Sequence, residues 1–188
     1  MWGENCQSRE NTEEGINEIR KALNLDPLSA SYNWVLGRNY WFAHKYDSAY
    51  EQLKKTLTLF PDYWLTITSF VYVLLQRKNY SEAIEWSKKI PANDIMGRTL
   101  SYAYAVSGDT IQAKKQLEKT LKEFPHSELP ELAMVYIGLK EYDQALTLLD
   151  KAYALRQIDM YFINADPAFD PIRKEPRFKA LLKKMHLD

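Results

Sequence analysis

The chain has 188 residues, enough for one large domain or one run of repeats. Lys plus Arg and Asp plus Glu number 25 each, so the net charge is zero and no global field draws the protein to nucleic acid or an anionic membrane. The single cysteine, Cys6, excludes an internal disulfide and a cysteine-built zinc site, and 13% aromatic residues exclude a disordered chain.

Only six glycines are present, leaving few tight hairpins, and the chain is rich in Ala, Leu, Lys and Glu. An all-α protein is therefore predicted. The N-terminal MWGENCQSRE has no apolar core of a secretory signal. The most apolar segment, Tyr63 to Leu75, is shorter than the about 20 residues a bilayer demands. A cytoplasmic location without membrane contact is the expectation.

In chain order, a first amphipathic helix carries Gly15, Ile19, Ala22 and then Pro27. Too few residues precede Gly15 for a full partner helix. That suggests a chain cut from a longer protein or one that starts within an array, with Ile16, Ile19 and Leu23 on an uncovered face. Next comes LGRNYWFAHKYDSAYEQLKKTLTLFP, Leu36 to Pro61, which reads as two helices joined by a tight turn. Leu36 and Tyr40 share one helical face, as do Ala49 and Leu53. Ala49 is small enough to let the second helix approach the first. Asp47 lies where a carboxylate suits the helix N-terminus, and Pro61 stops the helix.

The same offsets return around Ala83 (Phe70, Leu74, Tyr80, Ile90), Ala113 (Leu100, Tyr104, Leu117, Thr120, Pro125) and Ala145 (Leu132, Tyr136, Tyr142, Leu149, Ala152). Ser81 and Asp143 repeat the polar position of Asp47. Ser87 replaces leucine in the unit around Ala83, which ends early at Pro91, so its second helix should be short and either bend the stack or tighten the crossing to the next unit. The units predicted are a half repeat at 12–27, repeats at 30–61, 64–91, 94–125 and 126–157, and a C-terminal extension at 158–188. In that extension residues 158–165 suit one short helix, the Asp-Pro pairs at 166–167 and 170–171 break it, and Pro176 opens a last helix with a Phe178, Leu181, Leu182, Met185 stripe. This helix is expected to cap the last repeat. Its other face is basic, with Arg173, Lys174, Arg177, Lys179, Lys183 and Lys184.

On these residues the chain resembles the tetratricopeptide repeat, a helix-turn-helix unit of about 34 residues, over roughly 12–157. ALNLDPLSASYNWVLGRNYWFAHKYDSA, LSYAYAVSGD and NADPAFDPIRKEPRFKALLKKM further resemble the repeat domains at the C-terminal end of bacterial multidomain regulators, beside winged-helix, adenylate cyclase or kinase domains. The resemblance implies a right-handed solenoid whose first helices line a concave wall. Positions fifteen, eleven, eight and seven before each small anchor face that wall. They include Trp34, Arg38, Trp41 and Phe42; Thr68, Tyr72, Leu75 and Gln76; Arg98, Tyr102, Ala105 and Val106; and Pro130, Met134, Ile137 and Gly138.

Trp34, Arg38, Trp41, Tyr72, Gln76, Arg98 and Tyr102 form the candidate partner-binding groove, with the aromatic rings as anchors and the guanidiniums, Arg38 and Arg98, exposed for a carboxylate. Phe42 and Leu75 read as core. The carboxylate clamp of relatives that hold heat-shock chaperone tails is not reproduced, since Trp34, Arg38 and Thr68 stand at or beside its places. The predicted function is a non-enzymatic scaffold for a protein or peptide partner within a bacterial regulator. The alternatives are homo-oligomerisation and an anionic or nucleic-acid contact through the basic last helix. No catalytic, metal, cofactor or small-molecule motif is present: His44, His126 and His186 are far apart, the first two expected to be exposed, and phosphate-cradling and nucleophile-elbow patterns are missing.

Overall fold

The structure, a computed structural model, describes residues 9–125 and 128–187. Cys6 and His126 lie outside them. Among the described residues the chain is helical without a strand: α1 (Arg9–Leu25), α2 (Ala30–Phe42), α3 (Tyr46–Leu59), α4 (Trp64–Gln76), α5 (Tyr80–Ser87), α6 (Asp94–Ser107), α7 (Thr110–Glu123), α8 (Leu129–Gly138), α9 (Tyr142–Ala154) and α10 (Pro176–Lys184). Two 3-10 turns, Ile158–Phe162 and Pro167–Ile172, precede α10. None of these helices is long and apolar enough to cross a membrane.

The repeat offsets correspond to packing. Ala49, Ala83, Ala113 and Ala145 have no exposed surface, so each marks the point where the second helix of a pair touches the first. Leu53, Leu117 and Leu149 stack one turn further on and are buried as well. Gly37 takes part in the same contact from the other side: a Cβ there would lie 2.4 Å from Leu53. At the Leu53-equivalent place in α5, Ser87 turns its hydroxyl back to the Ala83 carbonyl at 2.8 Å, and α5 ends at that residue.

Each hairpin reverses through one left-handed residue five places before the alanine: His44 (φ 57°), Lys78 (φ 62°), Gly108 (φ 90°) and Lys140 (φ 62°). The following N–H closes a bond to the carbonyl five residues back, from Lys45 to Tyr40, Asn79 to Leu74, Asp109 to Tyr104 and Glu141 to Tyr136, at 2.9–3.0 Å. Sequence offsets alone do not reveal this turn, because glycine fills only one of the four positions. Of the second helices α3, α5, α7 and α9, only α7 has a side-chain N-cap, Asp109, which accepts from the Gln112 N–H at 3.1 Å. Asp47 instead makes an ion pair with Arg77. The long connections end as the prolines dictate, with α3 and α7 stopping two residues before Pro61 and Pro125.

The first helices α2, α4, α6 and α8 stand side by side, and α8 leans on α6 through Gly138, where a Cβ would come 2.9 Å from the Ala105 Cβ. The face of α1 expected to be uncovered is not: Ile16 is 1% exposed against α2, and Ile19 and Leu23 pack beside it. The reason is that α2 presents its own apolar edge to α1, so α1 behaves as the second helix of a preceding unit. His44, expected to be exposed, is half-buried, its Nδ1 bonded to the Tyr46 hydroxyl at 2.9 Å.

The turn positions yield a stability prediction. No atom stands within 4 Å of a Cβ at Gly108, so Gly108→Ala meets only the backbone penalty and should lower unfolding free energy by about 1–2 kcal/mol. Lys140→Gly should move it the other way by about 0.5 kcal/mol. Denaturant titrations of both variants beside the parent check the pair of signs.

Candidate partner-binding groove

The positions fifteen and eleven before each alanine converge because four parallel first helices repeat the same rotation toward the inner wall. Trp34 and Arg38 of α2, Thr68 and Tyr72 of α4, Arg98 of α6, and Pro130 and Met134 of α8 line one cavity of about 330 Å³. Trp41 and Phe42 close its back.

Arg38 sits at the centre of the α2 side. Its guanidinium carbon lies 4.6 Å from the Trp34 ring, 5.4 Å from Phe42 and 5.1 Å from Phe162. Trp34 is fixed in turn by its indole N–H, which donates to the Ser69 hydroxyl at 2.8 Å, and by an edge contact with Tyr63 at 6.3 Å. Behind them Trp41 stacks tilted on Tyr72 at 5.5 Å, and Tyr72 meets Tyr102 edge-on at 5.7 Å. This aromatic relay runs from α2 through α4 to α6 and sets the width of the groove. Burial pushes the Tyr72 phenol up to about 12 and the Tyr102 phenol higher still, so both are neutral packing groups at neutral pH.

Several sequence expectations change here. Arg98 does not stand free in the groove: it is 4% exposed and ion-paired with Glu131 of α8, because α6 and α8 approach closely enough to enclose it. Trp41 and Tyr102, at 3% and 6% exposed, form the wall's interior rather than its surface. Tyr102 and Gln76 do not line the cavity. Leu75 is core, as read from the sequence, whereas Phe42 is half-buried and stacks on Phe162 at 5.9 Å.

That stack marks the largest departure. The segment after α9 does not simply cap the last repeat. Asp-Pro pairs prevent a continuous helix, and the chain folds back along the first helices as two 3-10 turns. Phe162 meets Phe42, Phe169 faces the cavity, and Asp170 reaches His44 in the first hairpin turn at 3.7 Å. The cap itself is α10, which holds α9 through Arg177 donating to Asp150 at 2.8 Å. Arg173 is likewise engaged, with Asp170 and Asn164. Two of the six basic residues of the terminal face are thus neutralised, leaving Lys174, Lys179, Lys183 and Lys184 exposed. The groove is therefore bounded at one side by this chain's own residues, which sequence reasoning missed: Asp159, Phe162, Asp166 and Phe169, together with Trp64, Leu65, Glu128 and Glu131. Only the Asp-Pro pairs hinted at the fold-back.

Asp166 is the one buried carboxylate of the lining. It caps the second 3-10 turn by accepting from the Ala168 N–H at 2.7 Å, and burial pushes its pKa from 3.8 up to about 7, against the pull of that bond and of Arg173. Among the described residues no group of His, Cys, Asp or Glu is arranged to hold a metal ion.

The Tetratricopeptide repeat family profile matches residues 131–159. No curated protein matches the chain in sequence. Among solved structures, a thermophilic tetratricopeptide protein of Thermus thermophilus superposes with a TM-score of 0.63 at 19% identity, over 83% of this chain and 90% of that one. PilF of Pseudomonas aeruginosa gives 0.58 at 21% identity over 95% and 86%. YrrB, described as a tetratricopeptide protein with an unusual peptide-binding site, gives 0.50 at 19% identity over 83% and 84%. The fold is a tetratricopeptide-type solenoid, and the hairpin α8–α9 carries the repeat's own sequence signature.

Asp166 gives a pH prediction. The folded state holds its proton more tightly than the unfolded chain, so this group's contribution is complete below about pH 4 and is lost as pH rises toward 7. Asp166→Asn should remove that decline. Melting curves at pH 5 and pH 8 should show the parent losing more stability than the variant between the two.

Proposed function

We propose that the protein is a non-enzymatic interaction scaffold that holds a short segment of a protein partner in the groove between α2, α4, α8 and the C-terminal fold-back. The observation that carries this reading is the convergence of Trp34, Arg38, Trp64, Leu65 and Thr68 on one cavity of about 330 Å³. That size matches a site for one or two side chains and is at the lower end of ligand pockets. The rings are pre-positioned by the Trp34–Ser69 bond and the Arg38 stack, so little side-chain freedom is lost on binding. Because the fold-back closes one side, the groove suits a short anchor more than a long extended peptide. The peptide-binding site reported for YrrB lends the fold-level analogy, and the cytoplasm of a bacterium, within a larger regulator, is the setting we infer from the sequence resemblance.

A second reading, self-association, is favoured by a separate feature. Tyr153, Leu155, Ile158 and Tyr161 are 41%, 61%, 71% and 50% exposed around the end of α9, an apolar cluster available to a second copy.

Selection of a displayed random-peptide library on the parent protein tests the groove. Trp34→Ala with Arg38→Gln should weaken selected peptides by roughly tenfold or more while the circular dichroism spectrum stays helical; undiminished binding moves the site off this wall. Light scattering across a concentration series tests the second reading, for which Leu155→Glu with Ile158→Lys should hold the mass at that of one chain.

A further inference from the structure

We propose that the anchor accepted by this groove is a basic side chain, an arginine or lysine of the partner segment. The inference rests on the groove being the partner site. The lining holds four carboxylates, Glu128, Glu131, Asp159 and Asp166, and two guanidiniums, Arg38 and Arg98. Arg98 is ion-paired with Glu131, and Arg38 lies over the faces of Trp34, Phe42 and Phe162, so the carboxylates outnumber the guanidiniums two to one. Asp166 is turned to its own turn, bonded to the Ala168 N–H. Glu128 and Asp159 are different. Each is half-buried beside the cavity, and neither carboxylate has an ion-pair or hydrogen-bond partner among the described residues. They arrive from the N-cap of α8 and the first 3-10 turn, and share the cavity with Trp34 and Trp64.

Charge complementarity selects the occupant. An acidic anchor would meet an excess of carboxylates, Glu128 and Asp159 among them without a cation of their own. An aliphatic anchor would strip water from both carboxylates without replacing it. A guanidinium or ammonium group satisfies them and lays its cation over indole faces, while its methylene stem covers the apolar wall. This reverses the expectation, drawn from the sequence, that the arginines await a carboxylate.

The test follows the indole N–H signals of Trp34, Trp41 and Trp64 in the ¹⁵N-labelled protein, with Trp86 of α5 as internal reference. Four probes are titrated: the Nα-acetyl amides of arginine, lysine, leucine and glutamate. The arginine and lysine derivatives are expected to move the Trp34 and Trp64 signals saturably. Glu128→Gln with Asp159→Asn should weaken that binding by about tenfold while other resonances keep their positions. Stronger binding of the leucine or glutamate derivative at these indoles overturns the basic-anchor inference and leaves the groove as the partner site. Silence of all four probes also overturns it, and the library selection then judges the groove separately, through whether its peptides depend on Trp34. Where the arginine and lysine derivatives do bind, selected peptides that depend on Trp34 are expected to share an Arg or Lys.

Discussion

Each helix pair depends on a reversal made by one left-handed residue five places before an alanine with no exposed surface. The turn and the alanine act together. The 6→1 bond across His44, Lys78, Gly108 or Lys140 stops the first helix cleanly, and the missing side-chain bulk at Ala49, Ala83, Ala113 or Ala145 lets the second helix fall against it. Repetition of this geometry keeps α2, α4, α6 and α8 in one rank. Only then do residues many positions apart in the chain share a wall.

The groove arises from what the rank leaves unfilled. Its floor is aromatic, because Trp41 and Tyr72, backed by Tyr102, must bridge neighbouring helices, and bridging rings cannot also be free to bind. Arg38 occupies the rim, where a delocalised cation can lie on three rings without being stripped of water on every side. Through Phe162 the same residue ties the first complete hairpin to the last segment of the chain. The C-terminal fold-back is thus at once a structural strut and the far wall of the site.

The solenoid was largely legible in the sequence. Small anchors, tyrosines nine residues before three of them and prolines twelve after two of them are local features, readable by periodicity. The offsets fifteen and eleven before the anchor also placed Trp34, Arg38, Thr68 and Tyr72 on the wall, whereas Leu75 and Gln76 do not line the cavity. Two kinds of feature escaped. The left-handed turns were hidden because histidine and lysine hold three of the four positions, and nothing in those side chains signals a positive φ. Arg98 was misplaced because its burial depends on Glu131, thirty-three residues away, being carried within reach by the α6–α8 packing.

By itself the sequence determined the helices, their pairing and their order, since those rest on contacts between residues less than a repeat apart. It also determined that aromatic side chains would crowd the inner face. The tertiary structure decided which of them remain accessible and which charges remain unmatched. Those outcomes turn on where residues 158–172 lie across the first helices, a placement set by long-range packing of Phe162 and Phe169 that no local pattern encodes.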